Sequence, residues 1–355
     1  MLKLKENRSK RTQTFLTFTV YVFSGAGIFN PLSKSENIYI SLLFSLASSA
    51  VTFLLMLKIV NKAGGESGHI YSNRKVLSLL LTGVCVFALL VHLTEVIKDT
   101  SHIANRGVSL IYYTAVSICV LAVSLYLCVS SEKGIYRFLL LSSVPFLIML
   151  LASFIPFITV KNVIIEFEKS SSAIISSAKT GIKSGIFFMC DAVFYILFFK
   201  ECNKKTQQKN SALTAGYITA CFVIFICSAV PFLIFGSRIA NKLPTPDYST
   251  LRLIYGIDIT ELVTFVRIVS FLIKSSVYLN VCANLITACF VRLAKRRNAV
   301  ITTLHLLLPV TFLTVAAYDK TPVYGAFQHL IFPALCILSA LLLIIILLNK
   351  KTHNR

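Results

Sequence analysis

The sequence is short of charge. Only 14% of its residues are Asp, Glu, Lys or Arg, where a soluble domain carries about 25%. Acids are the scarcer half: 14 Asp+Glu stand against 35 Lys+Arg, for a net charge of +21. No catalytic pattern is present. There is no G-x-S-x-G, no H-E-x-x-H and no Walker lysine, so no enzyme is expected. The run Gly64-Gly65-Glu66-Ser67-Gly68 has no strand before it and reads as a flexible connector. The ten cysteines include no C-x-x-C and no Cys/His spacing suited to a metal, so neither metal nor cofactor is expected. Cys85, Cys119, Cys128, Cys190, Cys221, Cys227, Cys282, Cys289 and Cys336 fall in apolar stretches and read as small packing hydrophobes; Cys202 lies near a loop. No A-x-A-like site follows the basic start, Met1 to Arg11. The first apolar segment is therefore expected to stay in the mature chain.

What the sequence has is apolar length. It is 56% hydrophobic, with a mean hydropathy of +0.79. Residues 14–349 divide into about ten apolar stretches separated by short basic loops: 14–32, 37–58, 76–97, 107–130, 138–160, 181–199, 212–236, 259–291, 299–317 and 328–349. A bilayer core about 30 Å thick takes about 20 residues of helix to cross. The pattern predicts an all-α polytopic membrane protein, about ten spans in one transmembrane domain over 1–355. Segment 173–180 looks amphipathic or re-entrant, ahead of a sixth span that starts near Gly181. The basic loops favour the N-terminal side by roughly two to one, which puts both termini in the cytoplasm. They also suit anionic lipids as partners. Charge spread in this way does not predict nucleic acid binding.

Small residues mark the candidate ligand site. Ser24-Gly25-Ala26-Gly27 interrupts the first stretch. A helix broken at membrane depth presents unpaired N–H groups that suit a carboxylate, and Tyr21 and Ser24 add hydroxyls. Gly181, Ser184 and Gly185 would form a matching interruption in the sixth span. The competing reading is close helix–helix packing at small residues.

Charge inside an apolar span is costly and points to function. Asp191, Arg267 and Lys274 are such charges. Arg267 and Lys274 are seven residues apart and share a helix face, about 10 Å from one another. Asp191 is the expected partner of Arg267, either to fix packing or to couple ligand or ion; Lys274 could instead snorkel. His92 and Glu95 read as an outer-interface pair or a proton relay. His305 reads as a packing residue or a proton-coupling one.

The order of features resembles the spore germination permeases, the B subunits of nutrient germinant receptors, within the amino acid–polyamine–organocation transporter superfamily. Four stretches carry the likeness. They are Gly25-Ala26-Gly27-Ile28-Phe29-Asn30-Pro31 with Glu36-Asn37-Ile38; Ser131-Glu132-Lys133-Gly134-Ile135-Tyr136-Arg137; Phe235-Gly236 followed by Leu243-Pro244 and Leu251-Arg252; and Leu272-Ile273-Lys274-Ser275-Ser276-Val277-Tyr278-Leu279. The chain departs from the family in having no tryptophan and no arginine ahead of Glu261 in Asp258-Ile259-Thr260-Glu261. The resemblance implies a LeuT-like fold of inverted five-helix repeats with broken helices one and six. It implies a germinant receptor subunit that binds an amino acid or similar nutrient, triggers germination in the spore inner membrane and conducts ion or solute. The implied protein partners are an A-type membrane subunit and a C-type lipoprotein. A stand-alone proton- or cation-coupled amino acid permease is the alternative.

Overall fold

The computed structural model describes residues 2–26, 37–62, 122–130, 132–159, 170–202, 210–240, 260–290 and 295–306, with a few single positions. All the regular structure among them is helical. Six long helices are α1 (Leu2–Ala26), α2 (Ile38–Lys62), α3 (Glu132–Thr159), α4 (Ser171–Cys202), α5 (Asn210–Ala240) and α6 (Thr260–Cys289). Two shorter helical stretches cover 122–129 and 297–306. The chain divides into two compact units. The first is Met1–Leu54, Phe138–Ala192 and Gln207–Ser270; the second is Leu55–Arg137, Val193–Thr206 and Phe271–Arg355.

The expected ten-span fold is not what the described residues form. Two of their helices are long and apolar enough to cross a membrane, at Ile38–Leu55 in α2 and Ser211–Ala240 in α5. Among the described residues, α3 and α6 contribute shorter apolar helical stretches, Gly134–Ile148 and Ile268–Asn284. Helix α1 starts at Leu2, so half of it is the basic, polar N-terminal segment rather than apolar span. Helix α4 carries Lys179 and Lys183 in its first half.

Of the two expected breaks, the one in the sixth stretch is absent. Helix α1 is helical through Ser24, Gly25 and Ala26, and the rest of the first expected break lies outside the described residues. Helix α4 is one 32-residue helix that takes in 173–180 as well as Gly181, Ser184 and Gly185. The LeuT-like inverted repeat of ten spans is therefore corrected to an all-α fold whose described residues include two candidate spans and an unbroken α4. The germinant-receptor, permease and sporulation functions that leaned on that architecture fall with it, as does the multi-pass placement in a cell or spore membrane with both termini cytoplasmic. Non-helical backbone occurs instead inside α5, at Gly236 (φ 73°, ψ 161°), a left-handed conformation that glycine adopts without steric cost. Gly27, His92, Glu95 and the tenth stretch lie outside the described residues.

The first unit is built around α5. Helix α1 packs along it, and Thr19 Oγ1 on α1 donates to Gly216 O at 3.3 Å. Helix α2 runs antiparallel to α5. Its start, Ile38 and Leu42, clusters with Ala229, Phe232 and Ala240 near the end of α5. Further along, Phe53 stacks on Tyr217 with ring centroids 4.0 Å apart, and Phe18 of α1 closes the group at 5.8 Å from Phe53. Aromatic pairs at these separations add to the burial of their large apolar area.

Candidate functional site

Helix α2 buries serines beside apolar residues and presents a further apolar face outward. Its buried stripe is Ser41, Ser45, Ser49, Phe53 and Leu57, four residues apart and so on one face. Its outward stripe is Leu43, Phe44, Val51, Leu54 and Leu55, with Leu43 61% and Val51 58% exposed. A helix of a soluble protein turns its apolar face to the core and its polar face outward. Helix α3 has an apolar outward stripe as well: Leu141 (72% exposed), Val144, Leu147 and Leu151, with Ser142 buried.

The serines of α2 meet small residues of α4. Asn37 N–H donates to Ser177 Oγ at 2.9 Å, and Ser41 Oγ donates to Ser177 O at 2.7 Å. One turn on, Ser45 Oγ donates to Ser184 Oγ at 3.3 Å. Between these bonds the backbones nearly touch. A Cβ on Gly181 would stand 2.2 Å from Ser41 O, and one on Gly185 would stand 2.4 Å from Ser45 O. Ser177, Gly181 and Gly185 thus form a small-residue stripe at four-residue spacing that lets two helices approach closely. Among the described residues, the buried Asn37 side-chain amide at the start of α2 has no hydrogen-bond partner.

A cavity of about 20 Å³ lies between α2 and α5, lined by Leu42, Ser45, Leu46, Ser49, Cys221, Ile224 and Phe225. It has room for about one water molecule. Ser49 Oγ and Cys221 Sγ stand 3.7 Å apart in its wall.

The second unit carries a different polar seam. Ser124 and Ser275 hydroxyls share a hydrogen bond of 2.7 Å. Asn280 Nδ2 donates to Cys128 O at 3.2 Å and to Ser276 O at 2.8 Å. Its Oδ1 accepts from Arg297 Nη2, while Arg297 Nε donates to Asn284 Oδ1 at 2.8 Å. Every residue from Val269 to Ala283 on α6 is buried, so the polar groups of this stretch have to find partners inside the protein.

The described sequence-selected residues lie on α1, α4 and α6. Tyr21 and Ser24 are wholly buried on α1. The Ser24 hydroxyl is spent within its own helix, donating to Tyr21 O at 2.7 Å. Gly25 and Ala26 continue that helix. Gly181, Ser184 and Gly185 lie together, against the backbone and hydroxyls of α2. Lys274 is buried on α6 at 1% exposure. Asp191 and Arg267 are helical, on α4 and α6, and their side chains lie outside the described residues. The serine stripe of α2 was missed by sequence reasoning, although its four-residue spacing was visible. The Arg297 contacts had no periodic signal.

No model of a known protein family matches the chain, and no curated protein matches it.

Proposed function

We propose that this protein is a helical membrane-binding protein that seats the outward apolar stripes of α2 and α3 in the hydrocarbon of a lipid bilayer, with anionic phospholipid as its partner. The observation that carries this reading is the buried serines and outward apolar face of α2. Burying serines while presenting leucine and valine outward loses hydrophobic stabilisation in water, at about 25 cal/mol per Å² of apolar surface. In hydrocarbon the same arrangement is favourable, because hydroxyls pair inside and apolar side chains meet lipid. The net charge of +21 supports anionic headgroups as the polar counterpart.

Vesicle flotation tests it. The purified protein should float with neutral phosphatidylcholine vesicles and more strongly when phosphatidylglycerol is added. Val51→Lys places an ammonium on the outward stripe, at a cost of about 3 kcal/mol near the centre of a lipid-embedded helix. It should weaken flotation on both vesicles and leave helicity in detergent unchanged. Wild type that stays monomeric in detergent-free buffer, or Val51→Lys that floats like wild type, would overturn the reading.

A further inference from the structure

We infer that Arg297 is the phosphate-binding residue of an anionic phospholipid site at the C-terminal end of α6, an assignment that rests on the bilayer reading above.

Two backbone hydrogen bonds turn the chain back here. Leu293 N–H donates to Phe290 O at 2.8 Å, and Arg296 N–H to Leu293 O at 2.9 Å. Arg297 therefore returns onto α6, where its guanidinium is gripped by Asn284 Oδ1 and Asn280 Oδ1. A guanidinium has five N–H donors; these two bonds orient it, and among the described residues the other three donors have no hydrogen-bond partner. Both acceptors are neutral amides, which fix the group without neutralising it. No carboxylate is at hand in the local sequence: no Asp or Glu occurs between Glu261 and Asp319.

Arg297 stands at the start of the 297–306 helix, the end whose dipole repels cations and attracts anions. Lys295 and Arg296 beside it are exposed, and Arg297 itself is half-buried. A planar guanidinium held in place, with two exposed cations and a helix N-terminus beside it, matches the geometry and charge of a phosphate oxygen pair. The apolar stretches on both sides of this basic run, Ile268–Asn284 and the sequence after Ala299, favour a phosphate that belongs to a lipid.

The test compares Arg297→Gln, Asn284→Asp and Lys295→Gln for binding to vesicles of phosphatidylcholine with and without phosphatidylglycerol. Removing a surface cation weakens anionic-vesicle binding about fivefold, the effect expected of Lys295→Gln. Arg297→Gln should weaken it by roughly twenty-fivefold, one such factor for the charge and one for the lost fork. Asn284→Asp supplies an internal carboxylate, so it should keep the fold and still weaken binding beyond Lys295→Gln. None of the three should alter binding to neutral vesicles. If Arg297→Gln and Asn284→Asp match Lys295→Gln, the site falls while the bilayer reading stands. Wild type that binds neither vesicle sinks both. If millimolar inorganic phosphate alone raises the melting temperature through Arg297 and phosphatidylglycerol adds nothing, the lipid assignment is overturned.

Discussion

The two units hold their helices together with different polar chemistry. In the first, α2 and α4 meet through hydroxyls and missing side chains: Ser41 and Ser45 against Ser177, Gly181, Ser184 and Gly185. In the second, amides and a guanidinium do the joining, through Asn280, Asn284 and Arg297. The first seam depends on proximity. Its bonds are short because nothing stands between the backbones. The second adds reach to a Ser124–Ser275 hydroxyl pair, since its long amide and guanidinium side chains carry several donors and acceptors each. A close seam should be intolerant of added atoms, and a reaching seam intolerant of lost ones.

Gly181→Ala is the sharpest way to break that contrast. Its methyl would meet Ser41 O at 2.2 Å, so α2 and α4 must separate. Such overpacking costs about 1–3 kcal/mol, or more where backbone blocks the way. The melting temperature in detergent should drop clearly, and a thermal scan showing no drop would mean the helices are not pressed together. Asn280→Ala removes atoms from the other seam. It leaves Cys128 O and a half-buried guanidinium each short of a partner, at about 1–3 kcal/mol. Unfolding in denaturant should show that loss, whereas an alanine tolerated without cost would mean water replaces the amide. The smallest effect is expected at Asn37. Its amide is buried and unpartnered among the described residues, so Asn37→Ala should be neutral or stabilising by about 1 kcal/mol, contrary to the usual cost of losing asparagine at a helix start. A destabilised variant would reveal a partner for that amide.

The sequence made the helical class legible, and α2 and α5 as its most apolar helices, because apolar runs of that length have few other uses. The small residues at 181–185 were legible too, with site and packing both open. Their contact with the α2 backbone needed the partner helix, which one strand of sequence does not display. Two glycines permit a broken helix but do not require one: Ser24 bonds back to Tyr21 within the turn and the helix holds as far as Ala26, while Gly27 lies outside the described residues. Gly236, where the backbone does leave helical geometry, gave the same local signal without being singled out as a break.

Composition and apolar length alone determined that the chain is helical and rich in surface unsuited to water. Which way each helix faces was decided only by tertiary packing. Serine and leucine stripes alternate around α2, and either could have turned inward. The glycines of α4 let hydroxyls and backbone come close enough to pair, and with that contact Leu43, Leu54 and Leu55 face outward while Leu42 and Leu57 are buried.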